Sequence, residues 1–475
     1  MKNFEVIIGI EIHIELKTKT KMFSPALIDF NAEPNTYANQ IDLAYPGTLP
    51  LVNKQAIKYG IALAKALKMK IDDELHFDRK NYFYPDLPKG YQITQFFRPI
   101  GSNGSLEIKL PNGEKKEIKI ERIHLEEDTA RQHHNTDSTQ LDYNRAGVPL
   151  IEIVTYPVIR SADEAAAYVD MIKKTVLALG ISEGKLEQGS LRADINISLR
   201  PYGVNIFGTK VEIKNMNSLS NIKKAIENEI ETQSKQLLTG KKILQQTKRF
   251  DDKTNSNIVM RTKTGTVEYK YFPDPNIPYI KLSSNFINSI KINELPHQKE
   301  QRYLDSKIQQ IYVDSLIDDI DLANYFDSIE YLDKNKLSKI FFAEVVSLAN
   351  TKSVKAYELN IKPEHIKQAI ELLDQEIISS KSLKKLIPLL VNYNDKIDIL
   401  LEKHNLKQIT DQNLIDQIII NIVDKNQKIT DEYITRPEKV LKFILGMLMK
   451  ETNGQVNPQL SNQRALKVLD EKYKN

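Results

Sequence analysis

The stretch that decides the fold is GIEIHIEL, residues 9–16, in which apolar and polar side chains alternate without interruption. This period of two predicts a β-strand with one apolar and one polar face. The apolar face holds Ile10, Ile12 and Ile14, and the polar face holds Glu11, His13 and Glu15. The polar face fits either a solvated sheet surface or a metal or proton-transfer site, and such a site needs further acidic residues from elsewhere in the chain.

Acidic residues of this kind occur in two more predicted strands. RIHLEED, residues 122–128, places Ile123 and Leu125 on an apolar face. Its opposite face holds His124, Glu126 and Asp128, and Glu127 falls at the turning edge. PLIEIVT, residues 149–155, contains Glu152 inside an otherwise apolar strand. A buried charge at that position is costly unless it is paired or bound to a cation.

Two later stretches, SLRADINISL (190–199) and KVEIKN (210–215), repeat the alternation. Their polar positions are Arg192, Asp194, Asn196, Ser198, Glu212 and Lys214. Several such strands, with Glu152 the hardest to explain as surface, favour one shared acidic pocket. Carboxylates with an imidazole suit Mg²⁺ or Mn²⁺ better than zinc, and a purely structural polar network is the alternative.

The remaining elements of the first part make it a mixed α+β domain. In SADEAAAYVDMIKKTVLALG, residues 161–180, Ser161 and Glu164 predict a capping box. Residues 218–240 predict a second helix, which ends at Gly240. The predicted strands are 5–16, 106–110, 116–127, 150–155, 191–199 and 210–214.

Composition excludes several classes of protein. The 475 residues, 41% hydrophobic and 27% charged, are typical of a soluble globular protein with several domains. No apolar run is long enough to span a bilayer and no signal-like segment is present, so we expect a cytoplasmic protein. The absence of Cys excludes disulfides, zinc-thiolate sites and a cysteine nucleophile. Glycine-rich phosphate loops and the HExxH motif are also absent.

Glycine becomes rare after about residue 290, and the chain becomes rich in Lys, Asn, Ile and Leu, which indicates helices. We therefore predict a domain boundary near ELPHQK, residues 294–299, and a second one near residue 405. The predicted domains are 1–293, with a mixed sheet, and two all-α domains, 294–405 and 406–475.

FDRKNYFYPDLPKGYQITQ, residues 77–95, interleaves aromatic and cationic side chains. Its tyrosines and Phe83 surround Arg79, Lys80 and Lys89. Aromatic residues among cations can stack on bases and contact phosphate. Half-buried packing within a loop explains the same composition, so both interpretations remain open.

Taken together, these motifs resemble those of one family in order and spacing. The stretches are EVIIGIEIHIELKTKTKMFS, IDLAYPGTLPLVNKQAI, FDRKNYFYPDLPKGYQITQ, RIHLEED, DYNRAGVPLIEIV, GSLRADINISLRP, GTKVEIKNMNSLSNIKKAIE and NGQVNPQL. They are similar to the B subunits of bacterial aspartyl/glutamyl-tRNA amidotransferases, the GatCAB family. The similarity extends nearly from end to end and is strongest over residues 1–280.

The resemblance implies an activity and its partners. Glutamate mischarged on tRNA(Gln), or aspartate on tRNA(Asn), would be converted to the amide. This chain would bind the tRNA and phosphorylate the side-chain carboxylate with ATP and Mg²⁺ or Mn²⁺, and a glutaminase A subunit would deliver ammonia. A small C subunit is the other expected partner, and no membrane is involved. The alternative is a tRNA-binding scaffold whose acidic cluster is structural.

The resemblance also implies roles for individual residues. The catalytic residues would be Glu11, His13, Lys89, Glu127 and Glu152, with Lys89 on the route of ammonia. The metal ligands would be His13, Glu126, Glu152, Glu11 and Asp194. The nucleotide would be bound by Arg192, Asp194, Glu212 and Lys214. Residues 1–293 would form a cradle-like catalytic domain, and the tail, 406–475, would reach the tRNA.

Two departures from the family pattern are visible. EQGSLRAD, residues 187–194, stands where the family usually has EEGSLRCD. TARQHH follows RIHLEED where the family more often has AGK, which leaves a phosphate contact there open. We expect His133 and His134 to lie on the surface.

Overall fold

Alternating sequences form strands throughout the first part of the chain in the computed structural model, which describes residues 4–262 and 268–474. The strands within these residues are β1 (Phe4–Glu15), β2 (Lys70–Ile71), β3 (Glu74–Leu75), β4 (Asp78–Asn81), β5 (Tyr91–Thr94), β6 (Gly101–Lys109), β7 (Lys115–Glu127), β8 (Arg131–His134), β9 (Thr139–Asp142), β10 (Pro149–Thr155), β11 (Leu191–Pro201), β12 (Val211–Met216), β13 (Gln246–Asp251), β14 (Ser256–Thr262), β15 (Phe272–Pro273) and β16 (Ile280–Lys281). The six predicted strands are all present, as β1, β6, β7, β10, β11 and β12.

The helices follow a different distribution, with most of them in the second half. Within the described residues they are α1 (Lys54–Ala66), α2 (Ala162–Leu179), α3 (Leu219–Leu238), α4 (Ser284–Ser289), α5 (Pro296–Asp305), α6 (Gln310–Asp318), α7 (Ile320–Asp327), α8 (Lys334–Ile340), α9 (Ser347–Thr351), α10 (Pro363–Asp374), α11 (Ser380–Leu389), α12 (Ile397–Lys403), α13 (Gln412–Lys425), α14 (Gln427–Thr430), α15 (Pro437–Glu451) and α16 (Pro458–Tyr473). A π-helical segment, Phe341–Val346, and two 3₁₀ segments, Ala356–Leu359 and Asp431–Tyr433, lie among them. The α+β class with a helical second part is confirmed.

The largest sheet has nine strands, in the order β14, β13, β12, β11, β1, β10, β7, β6, β2. Neighbouring strands are antiparallel except β12 and β13, which are parallel. β1 lies near the centre, between β10 and β11. In this register His13 faces Glu152 on one side and Arg192 on the other, and Glu152 faces His124 on β7. Residues far apart in sequence are therefore adjacent across four strands.

One face of this sheet is the hydrophobic core of the first part. The isoleucines at the even positions of β1, from Ile8 to Ile14, are at most 1% exposed. They pack with residues of α1, α2 and α3 in one hydrophobic cluster. Full burial of one such side chain contributes about 1.5–3 kcal/mol. A one-residue slip of β1 would expose all of them and bury Glu11 and His13, so the register is fixed.

β6 begins five residues before the predicted strand, and glycine explains the difference. Gly101 and Gly104 signal a turn in sequence, yet both lie inside the strand. A Cβ atom on Gly104 would lie 2.6 Å from the backbone oxygen of Leu67 and 2.4 Å from Cγ of Met69. The residue is glycine because neighbouring atoms approach closely, which a single sequence does not reveal.

The predicted capping box of α2 forms only in part. The Ser161 side chain accepts the N–H of Glu164 at 3.1 Å, as expected of an N-cap. The Glu164 carboxylate instead accepts the N–H of Arg160 and an ammonium hydrogen of Lys116, both at 2.7 Å. The prediction of a reciprocal box was therefore wrong. The Glu164 carboxylate interacts with Lys116 and with the N–H of Arg160, and not with the N–H of Ser161. Gly180 ends the helix with a φ of +67°, a conformation that favours glycine.

A smaller sheet, in the order β15, β4, β5, lies against the edge of β7 beyond Ile123, where pairing with the first residue of β6 stops. Gln95 accepts the backbone N–H of Leu125 at 3.0 Å, and Gln92 donates to the backbone oxygen of Glu127 at 2.8 Å. Side chains of Gln92 and Gln95 thus form the hydrogen bonds to the backbone of β7 that a neighbouring strand does not provide here. This arrangement brings the FDRKNYFYP segment against the end of β7.

The chain divides into two units, residues 1–298 and 299–475. Residues 299–474 contain helices and isolated bridges but no strand. Their buried apolar residues form two clusters, one between Tyr303 and Leu406 and the other between Ile415 and Leu469. Three domains, with boundaries after residues 293 and 405, stay a prediction. Within 4–262 and 268–474, no helix combines the length and the apolar composition needed to cross a bilayer.

Candidate metal and active site

Three side chains from three strands converge on the polar face of the large sheet. They are His13 of β1, Glu126 of β7 and Glu152 of β10, and their candidate ligand atoms all lie within 4.8 Å of one another. His13 Nε2 is 3.4 Å from Glu126 Oε1 and 3.5 Å from Glu152 Oε2. The antiparallel register produces this group directly, because each strand contributes alternate residues to the same face.

His124 completes the group, although sequence reasoning did not include it in the site. Its Nε2 lies 3.0 Å from Glu152 Oε2 and 3.9 Å from Glu126 Oε2. Its Nδ1 is buried without a partner among the described residues. The signal was available in RIHLEED, whose alternation places His124 on the same face as Glu126.

The electrostatics of the group follow from two acids sharing two imidazoles. Burial alone would lower the pKa of His13, but Glu152 and Glu126 outweigh it and raise that pKa to about 9. Burial would raise the pKa of Glu152, but His124 and His13 hold it well below its ordinary value. Burial, followed by the Glu152 charge, raises the pKa of Glu126. The ionised form of Glu126 is thus less stabilised by its surroundings than the ionised form of Glu152.

This environment fits a hard divalent cation. The Glu126 side chain is only 3% exposed, and its carboxylate accepts no hydrogen bond from any residue that the structure describes. A cation bound between the two buried carboxylates would offset their mutual repulsion. Two carboxylates and one imidazole are donors that suit Mg²⁺ or Mn²⁺.

The structure does not bring the other two predicted ligands, Glu11 and Asp194, into the group. Glu11 lies two residues before His13 and accepts a hydrogen bond from Asn196 at 2.9 Å. Asp194 is held by Lys214, whose Nζ lies 3.0 Å from Asp194 Oδ2 and 3.1 Å from Glu212 Oε1. Metal ligation by Glu11 and Asp194 therefore stays a prediction.

The predicted nucleotide-binding residues fall into two parts. Asp194, Glu212 and Lys214 form the ion triad on β11 and β12. Burial alone would lower the pKa of Lys214, but Asp194 and Glu212 outweigh it and raise that pKa. Arg192 lies apart from the triad and donates to Asp128 Oδ2 at 2.8 Å. Arg145, which sequence reasoning missed, donates to the same oxygen at 2.5 Å.

Lys89 and Glu127, both predicted to be catalytic, form a buried ion pair at the edge of β7. Their side chains are 11% and 5% exposed, and the Glu127 carboxylate also accepts the N–H of Ile93 at 3.1 Å. Glu127 therefore points away from the His13 group, while Glu126 points into it. The Lys89 ammonium also lies 5.8 Å from the ring centre of Phe23.

The aromatic segment that contains Lys89 is only partly packed. Phe83 is 90% exposed, whereas Arg79 stacks on the Tyr91 ring at 4.0 Å. Lys80 lies 5.0 Å from the Tyr269 ring centre. Burial would lower the pKa of Lys80, but Glu126, Glu152 and two tyrosines together outweigh it and raise that pKa. Lys80 is thus a cation near the His13 group that sequence reasoning placed only in a loop.

Two cavities flank the group along β1. One, of about 370 Å³, lies beside Glu11 and is also lined by Asn196, Phe207 and Lys210. The other, of about 700 Å³, lies beside Glu15. His13 separates Glu11 from Glu15 on the same face of the strand. His133 and His134 are exposed on β8, as predicted.

Two family models match this chain. A family model described as the GatB/GatE catalytic domain matches residues 6–288. A second model, described as the GatB domain, matches residues 324–469.

Individual relatives match along their whole length. The B subunit of the aspartyl/glutamyl-tRNA(Asn/Gln) amidotransferase of Mycoplasmopsis agalactiae is 66% identical over 474 residues, which cover 100% of both chains. The protein of the same name from Mycoplasmopsis synoviae is 65% identical with the same coverage. That of Lactococcus lactis is 42% identical over 98% of this chain and 99% of its own.

Proposed function

The chain belongs to the family of aspartyl/glutamyl-tRNA amidotransferase B subunits, and from that premise we propose that its polar sheet face activates a mischarged tRNA. It is a subunit of a GatCAB-type complex that acts on mischarged tRNA, either Asp-tRNA(Asn) or Glu-tRNA(Gln). The side-chain carboxylate is phosphorylated by ATP and then converted to the amide by ammonia. Phosphorylation is needed because a free carboxylate is a poor acyl donor.

The observation that carries this proposal is the convergence of His13, Glu126 and Glu152 within 4.8 Å on one sheet face. The other face of the same sheet is a packed apolar core, so the three strands cannot shift relative to one another without exposing it. A preorganised acidic group of this kind is what transfer of a phosphoryl group between two anions requires.

In the proposed mechanism, His13, Glu126 and Glu152 would hold Mg²⁺ or Mn²⁺. The bound cation would supply neutralisation of the charge that develops on the transferring phosphoryl group. His124 fixes the position of Glu152 by its 3.0 Å contact, and the low pKa of Glu152 keeps that carboxylate ionised at neutral pH. Lys80 adds a positive charge on the side of Glu126.

ATP is proposed to lie on the Glu11 side of this group. The Asp194, Glu212 and Lys214 triad and the Glu11-side cavity support this placement, because they provide a cation, acids and an exposed ring at Phe207. Arg192, two residues before Asp194 on β11, borders the His13 group on the side away from the triad.

Nitrogen comes from a partner in this proposal. The chain has no cysteine, so it lacks the nucleophile that glutaminases of the cysteine type use. The A subunit, of glutaminase type, supplies ammonia, and the C subunit completes the complex. Lys89 and Glu127 are proposed to line the end of the ammonia route, since their charged groups are shielded from bulk water. A cytoplasmic location belongs to the same proposal.

We also propose that the chain has three domains. Residues 1–293 form the catalytic cradle and 294–405 a helical domain. The tail, 406–475, contacts tRNA through exposed lysines such as Lys442 and Lys450.

The test is to assemble the chain with A and C subunits and to measure ATP hydrolysis with uncharged and mischarged tRNA. Hydrolysis that requires both a divalent cation and a mischarged tRNA supports the proposal. If the complex amidates the tRNA normally when His13 and Glu152 are both substituted, the chain is a tRNA-binding scaffold with a structural acidic cluster.

A further inference from the structure

A cavity of about 890 Å³ lies between α10 and α12, and all the residues that line it belong to the unit 299–475. We call it the α10–α12 cavity. Its lining contains more acids than bases: four carboxylates, from Glu364, Glu371, Asp395 and Asp398, and two ammonium groups, from Lys362 and Lys396. This excess of negative charge favours a positively charged ligand.

The carboxylates of the cavity are available to such a ligand. Glu364, Asp395 and Asp398 are exposed, and they make no ion pair or side-chain hydrogen bond with any residue in 4–262 or 268–474. Glu371 lies 4.0 Å from Lys367 Nζ, at the limit of an ion pair. Exposed acids often cluster without binding anything, so a site here needs further support.

A buried imidazole in the same cavity provides that support. His365 is 5% exposed and lines the cavity. Its Nδ1 is buried without a partner, and none of the described residues forms a hydrogen bond with its Nε2. Burial, followed by the charge of Lys362, lowers the pKa of His365, so at pH 7 the ring is neutral and has one acceptor nitrogen. Buried acceptors normally receive a hydrogen bond, and a donor bound in the cavity would supply it.

The acceptors on α10 follow a regular spacing. Glu364, Gln368, Glu371 and Gln375 line the cavity and lie at i, i+4, i+7 and i+11, on one face of the helix. Successive members are separated by about 4.5–6 Å along the axis. The side-chain amides of Gln368 and Gln375 have no hydrogen-bond partner among the residues that the structure describes.

Apolar side chains complete the wall. Leu372 of α10 and Ile397 of α12 both line the cavity. A ligand that carries donors at intervals of one helical turn, with aliphatic segments between them, matches both the acceptors and these side chains. A compact metal cation matches them less well, since His365 belongs to no group of three close metal-ligating side chains within the described residues.

We propose that the α10–α12 cavity binds a linear aliphatic polyamine. Its ammonium groups donate to the acceptors along α10, to His365 and to Asp395 and Asp398, and its methylene groups lie on Leu372 and Ile397. The inference is independent of the proposed function, because none of these residues takes part in activation of the tRNA.

The test is a calorimetric titration of the full chain with spermidine, without tRNA, because tRNA itself binds polyamines. One molecule should bind per chain. Asp395→Asn combined with Asp398→Asn should weaken binding about tenfold. Both aspartates are exposed, so this double variant leaves the apolar core intact. His365→Phe, which keeps a ring but removes the acceptor, and Gln368→Leu should each weaken binding about threefold.

The matched control is Glu330→Gln, which removes one exposed carboxylate from the segment between α7 and α8, outside the cavity. It should bind spermidine as the unsubstituted chain does. Absence of spermidine binding, or equal weakening by Glu330→Gln and by the double variant, would overturn the proposal. Displacement of spermidine by an equal concentration of Mg²⁺ would also overturn it, because a site for any cation does not use the spacing of the acceptors. A complex that hydrolyses no ATP would refute the proposed function and leave the spermidine result unchanged.

Discussion

Glu152 on β10 lies directly opposite His13 on β1, and its Oε2 is 3.5 Å from His13 Nε2. The pairing joins two residues that are far apart in sequence and buries a carboxylate that is only 14% exposed. An imidazole alone does not explain an acid at this position, because Glu126 stands on the other side of the same ring nitrogen at 3.4 Å. This arrangement supports the proposed cation site.

Removing either member of this pair should abolish activation of the tRNA. We expect Glu152→Gln, which keeps the shape of the side chain, and His13→Ala to lower tRNA-dependent ATP hydrolysis by at least about 100-fold. Glutamine hydrolysis by the partner subunit should remain competent, since its chemistry lies elsewhere. Both rates are measured on the assembled complex.

Glu231→Gln is the control for this pair of variants, because Glu231 is an exposed acid on α3 whose one ion-pair partner among the described residues is Lys235, one turn later. It should retain normal activity. Near-normal ATP hydrolysis by both Glu152→Gln and His13→Ala would remove the metal assignment.

The face on which each of these residues lies could be predicted from the sequence. Alternation in GIEIHIEL placed His13 opposite the buried isoleucines, and alternation in RIHLEED separated Glu126 from Glu127. These predictions need only the local sequence, because a strand with one apolar face packs that face against the core.

The order of the strands and their register could not be predicted in the same way. Nothing within β1 states that Glu152 and Arg192 are the neighbours of His13, since those pairings depend on long-range packing. Glu11 illustrates the limit, because its place on the polar face could be predicted but the hydrogen bond that it accepts from Asn196 on β11 could not. The Arg145 contact with Asp128 likewise comes from a loop with no periodicity.

Acid should weaken one ion pair at the start of β1 in a predictable direction. Glu5 accepts from Arg200 at 2.7 Å and from Arg160 at 3.1 Å, and the Arg200 hydrogen bond lowers its pKa below the ordinary 4.5. A lowered folded-state pKa stabilises the protein above pH 4.5, and this contribution is lost as the pH falls through the folded-state value. Glu5→Gln should therefore lower the Tm by about 1–4 °C at pH 7 and by less in acid. A Tm difference that grows below pH 4.5 would contradict this assignment.

Deleting residues 408–475 should weaken tRNA binding while the first unit stays folded. The apolar cluster between Ile415 and Leu469 is removed as a whole, and the cluster that ends at Leu406 is retained. The slope of log affinity against log salt should fall by about 0.9 for each phosphate that the tail neutralises in the intact protein. Lys442→Ala with Lys450→Ala should lower the affinity without changing the circular dichroism spectrum. An unchanged affinity after the deletion would place tRNA binding elsewhere.

The last prediction concerns the Lys89 and Glu127 pair. Lys89→Met in the assembled complex should impair glutamine-dependent amidation far more than amidation with high external ammonium, because only the first needs a protected route. The same substitution leaves Glu127 buried with the Ile93 N–H as its remaining partner, which can cost about 3–5 kcal/mol. Lys89→Met combined with Glu127→Gln removes that stranded charge and separates the two effects. If Lys89 lines the ammonia route, the double variant should still amidate better with external ammonium than with glutamine. If Lys89→Met lowers amidation equally with both nitrogen sources, and adding Glu127→Gln restores it, the pair has a structural role instead.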